Sequence, residues 1–202
     1  MDATHSSCAG GYGPPLASRL SQLLMAAVPS LPSAPEPRLT LDAPAIRGLR
    51  LERLAAWADL DPAALLAAAG RLEIAFDWPR EADDPRELSE IPELRLWSLR
   101  ADALLPWLPL VLERSSGQLT RHVAMLLPHG FSRTEGIRFA PESLELWLTH
   151  RLFLLDDWLH QAGLNGRAGL GQMAAVLGYE LDPGFWNPLP PPGGPSGVDI
   201  LP

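Results

Sequence analysis

Polar and apolar residues alternate across Arg38–Asp42 (RLTLD), a period of two that predicts a strand. The period then changes. Ile46, Leu49, Arg50, Arg53, Leu54 and Trp57 recur at helical spacing, which predicts a helix over Ala45–Trp57. Asp61 is placed to cap a second, short helix with Pro62 at its first position, and Gly70 to stop it. Alternation returns in Arg71–Trp78 (RLEIAFDW), with Leu72, Ile74 and Phe76 on one side. Beyond Pro92, Leu94 and Leu96 alternate with Arg95 and Trp97, predicting a strand over Leu94–Ala101. The runs WLPLVLER and QLTRHVAMLLPH flank SSGQ, where Gly117 supplies turn geometry, so a hairpin is expected. Pro141 opens the longest helix and Gly163 ends it; Arg167–Gly178 makes a shorter one. The expected fold is α+β: a small, mainly antiparallel sheet with a long C-terminal helix and shorter helices packed on one face.

The pattern stops at both ends. Residues 1–37 read as a disordered leader, 38–187 as a single globular domain, and 188–202 as a disordered tail rich in proline and glycine. Leu20–Pro29 has the apolar character of a signal-peptide core, but Asp2 and a lone Arg19 are poor flanks for one, and Met25 could serve as the start. Within the long helix, Leu144, Leu148, Leu152, Leu155 and Leu159 form one arc, and Arg151 falls inside it. A buried guanidinium needs a carboxylate. Asp83, Asp84, Glu87 and Glu90 offer the richest supply, so Arg151 is expected to tie the helix to that segment as a buried ion pair.

Charge and composition narrow the chemistry. The net charge is −8 and the pI near 5.0, which disfavours a nucleic-acid backbone as partner. All 16 basic residues are Arg. Without Lys there is no P-loop and no pyridoxal Schiff base. The single thiol, Cys8, can form no internal disulfide and hold no four-thiolate iron–sulfur cluster. Ala103–Leu112 (ALLPWLPLVL) is about half a membrane span and carries two prolines, so no membrane insertion is expected. No cofactor is implied.

Two loops concentrate polar chemistry. Asp83, Asp84, Glu87 and Glu90 could ligate Mg²⁺ or Ca²⁺, but Arg80, Arg86 and Arg95 stand among them as ion-pair partners, and Pro85 and Pro92 stiffen the path. The expected result is a rigid, charged ridge beside a sheet edge and a candidate partner-binding surface. The second loop carries His129, Phe131, Ser132, Arg133 and Glu135. His129, Ser132 and Glu135 make a scattered hydrolytic set, although no Gly-x-Ser-x-Gly elbow is present. A hydrogen-bonded turn is the alternative. On the long helix, His150 with Asp157 and His160 with Asp156 are spaced as surface pairs. Phe185 and Trp186, next to the tail, are candidates for an exposed sticky patch.

The stretches DDPRELSEIPELRLWSLRAD, PWLPLVL, AMLLPHGFSRTEGI and LTHRLFLLDDWL together resemble the Chlororespiratory Reduction six family. The resemblance covers roughly Leu39 to Pro188, with Asp83–Trp97 and Pro128–Ile137 as its signatures. It implies a soluble assembly factor of the photosynthetic NAD(P)H dehydrogenase-like complex, in cyanobacteria or plastids. The implied client is the ferredoxin-like subunit NdhI, which carries two [4Fe–4S] clusters, bound before it joins the hydrophilic arm. It brings no catalytic residues. The expectation is a non-enzymatic protein of the cyanobacterial cytosol rather than the plastid stroma. A small hydrolase relying on a carboxylate or on His129, and a stable accessory subunit, are the alternatives.

Overall fold

The structure, a computed structural model, describes residues 35–187. Most of the expected leader and all of the expected tail lie outside the described residues. Strand β1 (Arg38–Asp42) pairs in parallel with β2 (Glu73–Asp77), Arg38 opposite Glu73 and Asp42 opposite Asp77. A parallel pair needs a long crossover, and residues 43–72 supply it. Strands β3 (His129–Ser132) and β4 (Gly136–Phe139) form a separate antiparallel hairpin. The α+β class holds, with one two-stranded sheet of each sense among the described residues.

The helix expected over Ala45–Trp57 is broken. Asp42 caps helix α1 (Ala43–Arg47) by accepting from the Ala45 amide at 2.8 Å. The chain then turns through Gly48 and Leu49, whose φ of 51° is left-handed and unfavourable for a branched side chain. It resumes as a 3₁₀ turn (Glu52–Leu54) and helix α2 (Ala55–Ala58). The break leaves the Arg50 carbonyl free, and the buried Trp97 indole donates to it at 2.8 Å. Helix α3 (Pro62–Ala67) starts as expected, with Asp61 accepting from the Ala64 amide.

Two expected β segments are helical. Pro92 opens helix α4 (Pro92–Leu104), which replaces the strand expected over Leu94–Ala101. Its buried positions are Leu94, Trp97, Ser98 and Ala101, a spacing of three and four; Leu96, the second apolar residue of the apparent alternation, is 56 % exposed. The expected hairpin is instead helix α5 (Leu108–Val111), a turn, and helix α6 (Gln118–Leu126). Gly117 does turn the chain, at φ 77°. Glu113 clasps this turn, accepting from the amides and hydroxyls of Ser115 and Ser116. Those bonds hold its carboxyl at about 2, below the ordinary 4.5.

Helix α7 (Pro141–Gln161) and helix α8 (Arg167–Val176) follow the expected pattern. After α7, Gly163 adopts φ 72° and the Leu164 amide returns to the Leu159 carbonyl at 2.9 Å. The C-terminal segment ends in a 3₁₀ turn (Pro183–Trp186). Leu41, Trp57, Trp97, Leu110, Leu152 and Met173 are among the residues of one shared core.

Candidate functional site

The acidic segment takes its shape from its own charges. Asp84 accepts from the Arg86 amide at 3.1 Å and from its guanidinium Nε and Nη2 at 3.0 and 2.8 Å. These bonds, led by the Arg86 side chain, hold the Asp84 carboxyl far below the usual carboxylate range. Arg80 reaches across the same turn and donates to the carbonyls of Asp84 and Arg86. Asp83 stays exposed on the outer edge. Pro79, Arg80, Glu81, Asp83, Asp84, Pro85 and Arg86 line an open cleft of about 470 Å³.

Glu87 and Glu90 have a different role. They form a reciprocal cap on a short 3₁₀ turn (Leu88–Glu90): Glu87 accepts from the Ser89 amide, and Glu90 accepts from the Glu87 amide at 2.6 Å. The other Glu87 oxygen accepts from Arg121 Nε on α6 at 2.8 Å. Burial pushes this carboxyl up, but the bonds from Arg121 and Ser89 outweigh it and leave it below its ordinary value. Glu87 is therefore a structural clamp, and Glu90, though exposed, closes the cap. Arg95 reaches back to the Ser89 carbonyl at 3.5 Å.

Ser89 joins the two polar loops. It is fully buried, and its Oγ lies 3.0 Å from His129 Nε2, while His129 Nδ1 donates to the Leu127 carbonyl at 3.1 Å. A carbonyl can only accept, so in the neutral ring Nε2 is an acceptor and the Ser89 hydroxyl donates to it. The expected hydrolytic set is not gathered. Ser132 instead accepts from the Glu135 amide and contacts Thr134, and Glu135 pairs with Arg138 at 2.8 Å. Ser89, the residue His129 does meet, is sealed from substrate. Phe131 sits opposite Ile137 in the hairpin, and Arg133 is exposed at its tip.

Arg151 is 6 % exposed, and its partner is not the acidic loop. Its Nη2 donates to Asp102 Oδ2 at 2.6 Å and its Nη1 to the Pro106 carbonyl at 2.7 Å; Trp147 lies against its guanidinium. The other Asp102 oxygen is 3.1 Å from Nε2 of the buried His122. Asp102 thus pins α4, α6 and α7 together. Sequence reasoning missed it by reading Leu94–Ala101 as a strand; on a helix, Ser98 and Asp102 share a face.

The helix-surface pairs also differ from expectation. Asp156 takes Arg167 at 3.0 Å and Asp157 takes Gln161. Phe185 and Trp186 are half-buried against each other and Phe153, with Arg167 over the Trp186 ring. Among the described residues no three His, Cys, Asp or Glu side chains converge, and no helix is long and apolar enough to cross a membrane.

Residues 41–188 match the family model described as Chlororespiratory reduction 6, a span that contains both clamped loops and the Asp102 pin. The chain belongs to the Chlororespiratory reduction 6 family. This is an assembly-factor family, and membership supports a role in assembly or accumulation of the NAD(P)H dehydrogenase-like complex. No solved structure matches the chain.

Proposed function

We propose that this protein binds NdhI transiently in the cyanobacterial cytosol, by contact alone and without catalysis, before that subunit enters the complex. The observation that supports this reading is the Ser89–His129 contact, with the Glu87–Arg121 pair beside it. Together they weld two loops, 40 residues apart at that contact, into one rigid polar surface. Pre-ordering of a contact surface lowers the entropy cost of docking. Its outward groups are Glu81, Asp83 and Arg133, whereas Asp84, Arg86, Glu87, Glu90 and Arg95 hold its shape.

The test is capture of purified NdhI by the full chain, with the charge reversals Glu81→Arg and Asp83→Arg made together. Both sites are exposed, so folding should persist while affinity falls about tenfold or more. Undiminished capture by the reversed protein removes this surface as the contact. Comigration with the mature, active complex would instead favour a resident subunit.

A further inference from the structure

A second surface lies away from the ridge. After α8 the chain runs along α7 and contacts it at its start and midway. The Tyr179 hydroxyl donates to the Pro141 carbonyl at 3.5 Å, and Phe185 stacks on Phe153 with ring centres 5.0 Å apart. Glu145, Leu148, Thr149, Leu152, Tyr179, Glu180, Leu181, Asp182 and Phe185 line an open groove of about 270 Å³ there. Half-buried Leu181 and Phe185 are its apolar walls, and the buried Leu148 and Leu152 lie beneath. Beside it on α7, Leu146 is 74 % and Phe153 45 % exposed, one face of the helix with Thr149.

The charged residues that line the groove, Glu145, Glu180 and Asp182, are all acidic, and the surrounding sequence leans the same way. Over residues 141–187, Glu142, Glu145, Asp156, Asp157, Glu180 and Asp182 stand against Arg151 and Arg167 alone. Both guanidiniums are taken, by Asp102 and Asp156. Among the described residues, neither Glu145 nor Glu180 has an ion-pair partner. Asp182 uses one oxygen to cap the final turn, accepting from the Gly184 amide. An open groove of this size holds one or two side chains of a polypeptide.

We infer that this groove docks a segment of a partner polypeptide in which an apolar anchor, Leu, Ile or Phe, is flanked by Lys or Arg. The anchor packs against Leu181 and Phe185 at the groove's surface; the cations meet Glu145 and Glu180. Residues 188–202 are a poor occupant on charge grounds, since they carry Asp199 and no basic residue. This inference relies on the family's role in assembly and is independent of which subunit is the client of the ridge.

The experiment uses the full chain and an array of overlapping peptides that tile the hydrophilic-arm subunits of the complex. Bound peptides should combine an apolar anchor with basic flanks. Glu145→Lys with Glu180→Lys, and separately Thr149→Trp as a plug, should weaken them about tenfold or more, with far-UV dichroism and melting unchanged. Binding that ignores both variants overturns the inference, as does a bound set without basic residues. A photoreactive group at position 149 that crosslinks to residues 188–202 would also overturn it, by naming the tail as occupant. Glu81→Arg with Asp83→Arg should leave peptide binding intact, which separates failure at the ridge from failure at the groove.

Discussion

Asp102 accepts from a guanidinium and an imidazole that are themselves buried, so the order of damage by substitution follows. Asp102→Ala strands the Arg151 charge in the interior and should lower unfolding free energy by about 3–5 kcal/mol. Arg151→Met leaves the Asp102 carboxylate with His122 still beside it and should cost less; denaturant unfolding of the two proteins compares them. Glu113 sets a pH dependence. Its folded carboxyl, near 2, lies below the ordinary 4.5, so its contribution is complete above 4.5 and is lost as pH falls toward 2. Glu113→Gln should flatten stability over that window, and carboxyl NMR of the parent should place the titration. Of these residues, the sequence made Arg151 conspicuous because it interrupts a leucine arc. Asp102 and His122 were illegible because each needed a neighbouring segment to be recognised as helix.

Strand signals survived where packing left a true alternation, as in Arg38–Asp42 and Arg71–Trp78, and helix signals where a proline and a glycine bracketed the run, as in α7. They failed in α4, where Leu94 and Leu96 alternate only because Leu96 is an exposed apolar residue. They failed in α1 and α2 because the Trp97 indole draws on a carbonyl that a continuous helix would have consumed. Two glycines, Gly166 just before α8 and Gly171 within it, carry a paired prediction. A β-carbon at Gly166 would collide with Leu159, so Gly166→Ala should lose about 1–3 kcal/mol. Gly171, inside α8, meets nothing, so Gly171→Ala should gain about 0.4–1 kcal/mol. Thermal melts of the two variants should move in opposite directions. At the ridge, Ser89→Ala should speed amide exchange through the segment from Pro79 to Glu90, because it removes the bond to His129.

Over the whole molecule, the acidic balance makes association with a basic client steerable from a distance, and added salt should slow that association more than it speeds release. Stopped-flow measurements at two ionic strengths test this. The fold class was readable from composition and punctuation, and the charged ridge from its run of acids and arginines, whereas the groove was not, since it exists only where α7 and the returning C-terminal segment meet.

The Asp102 pin also orders events at the ribosome. Asp102 and His122 emerge well before Arg151, so a nascent chain halted before the long helix holds an acid whose strongest partner has yet to be made. The interior is expected to stay loose and protease-sensitive until that helix is released, and to lock in one late step.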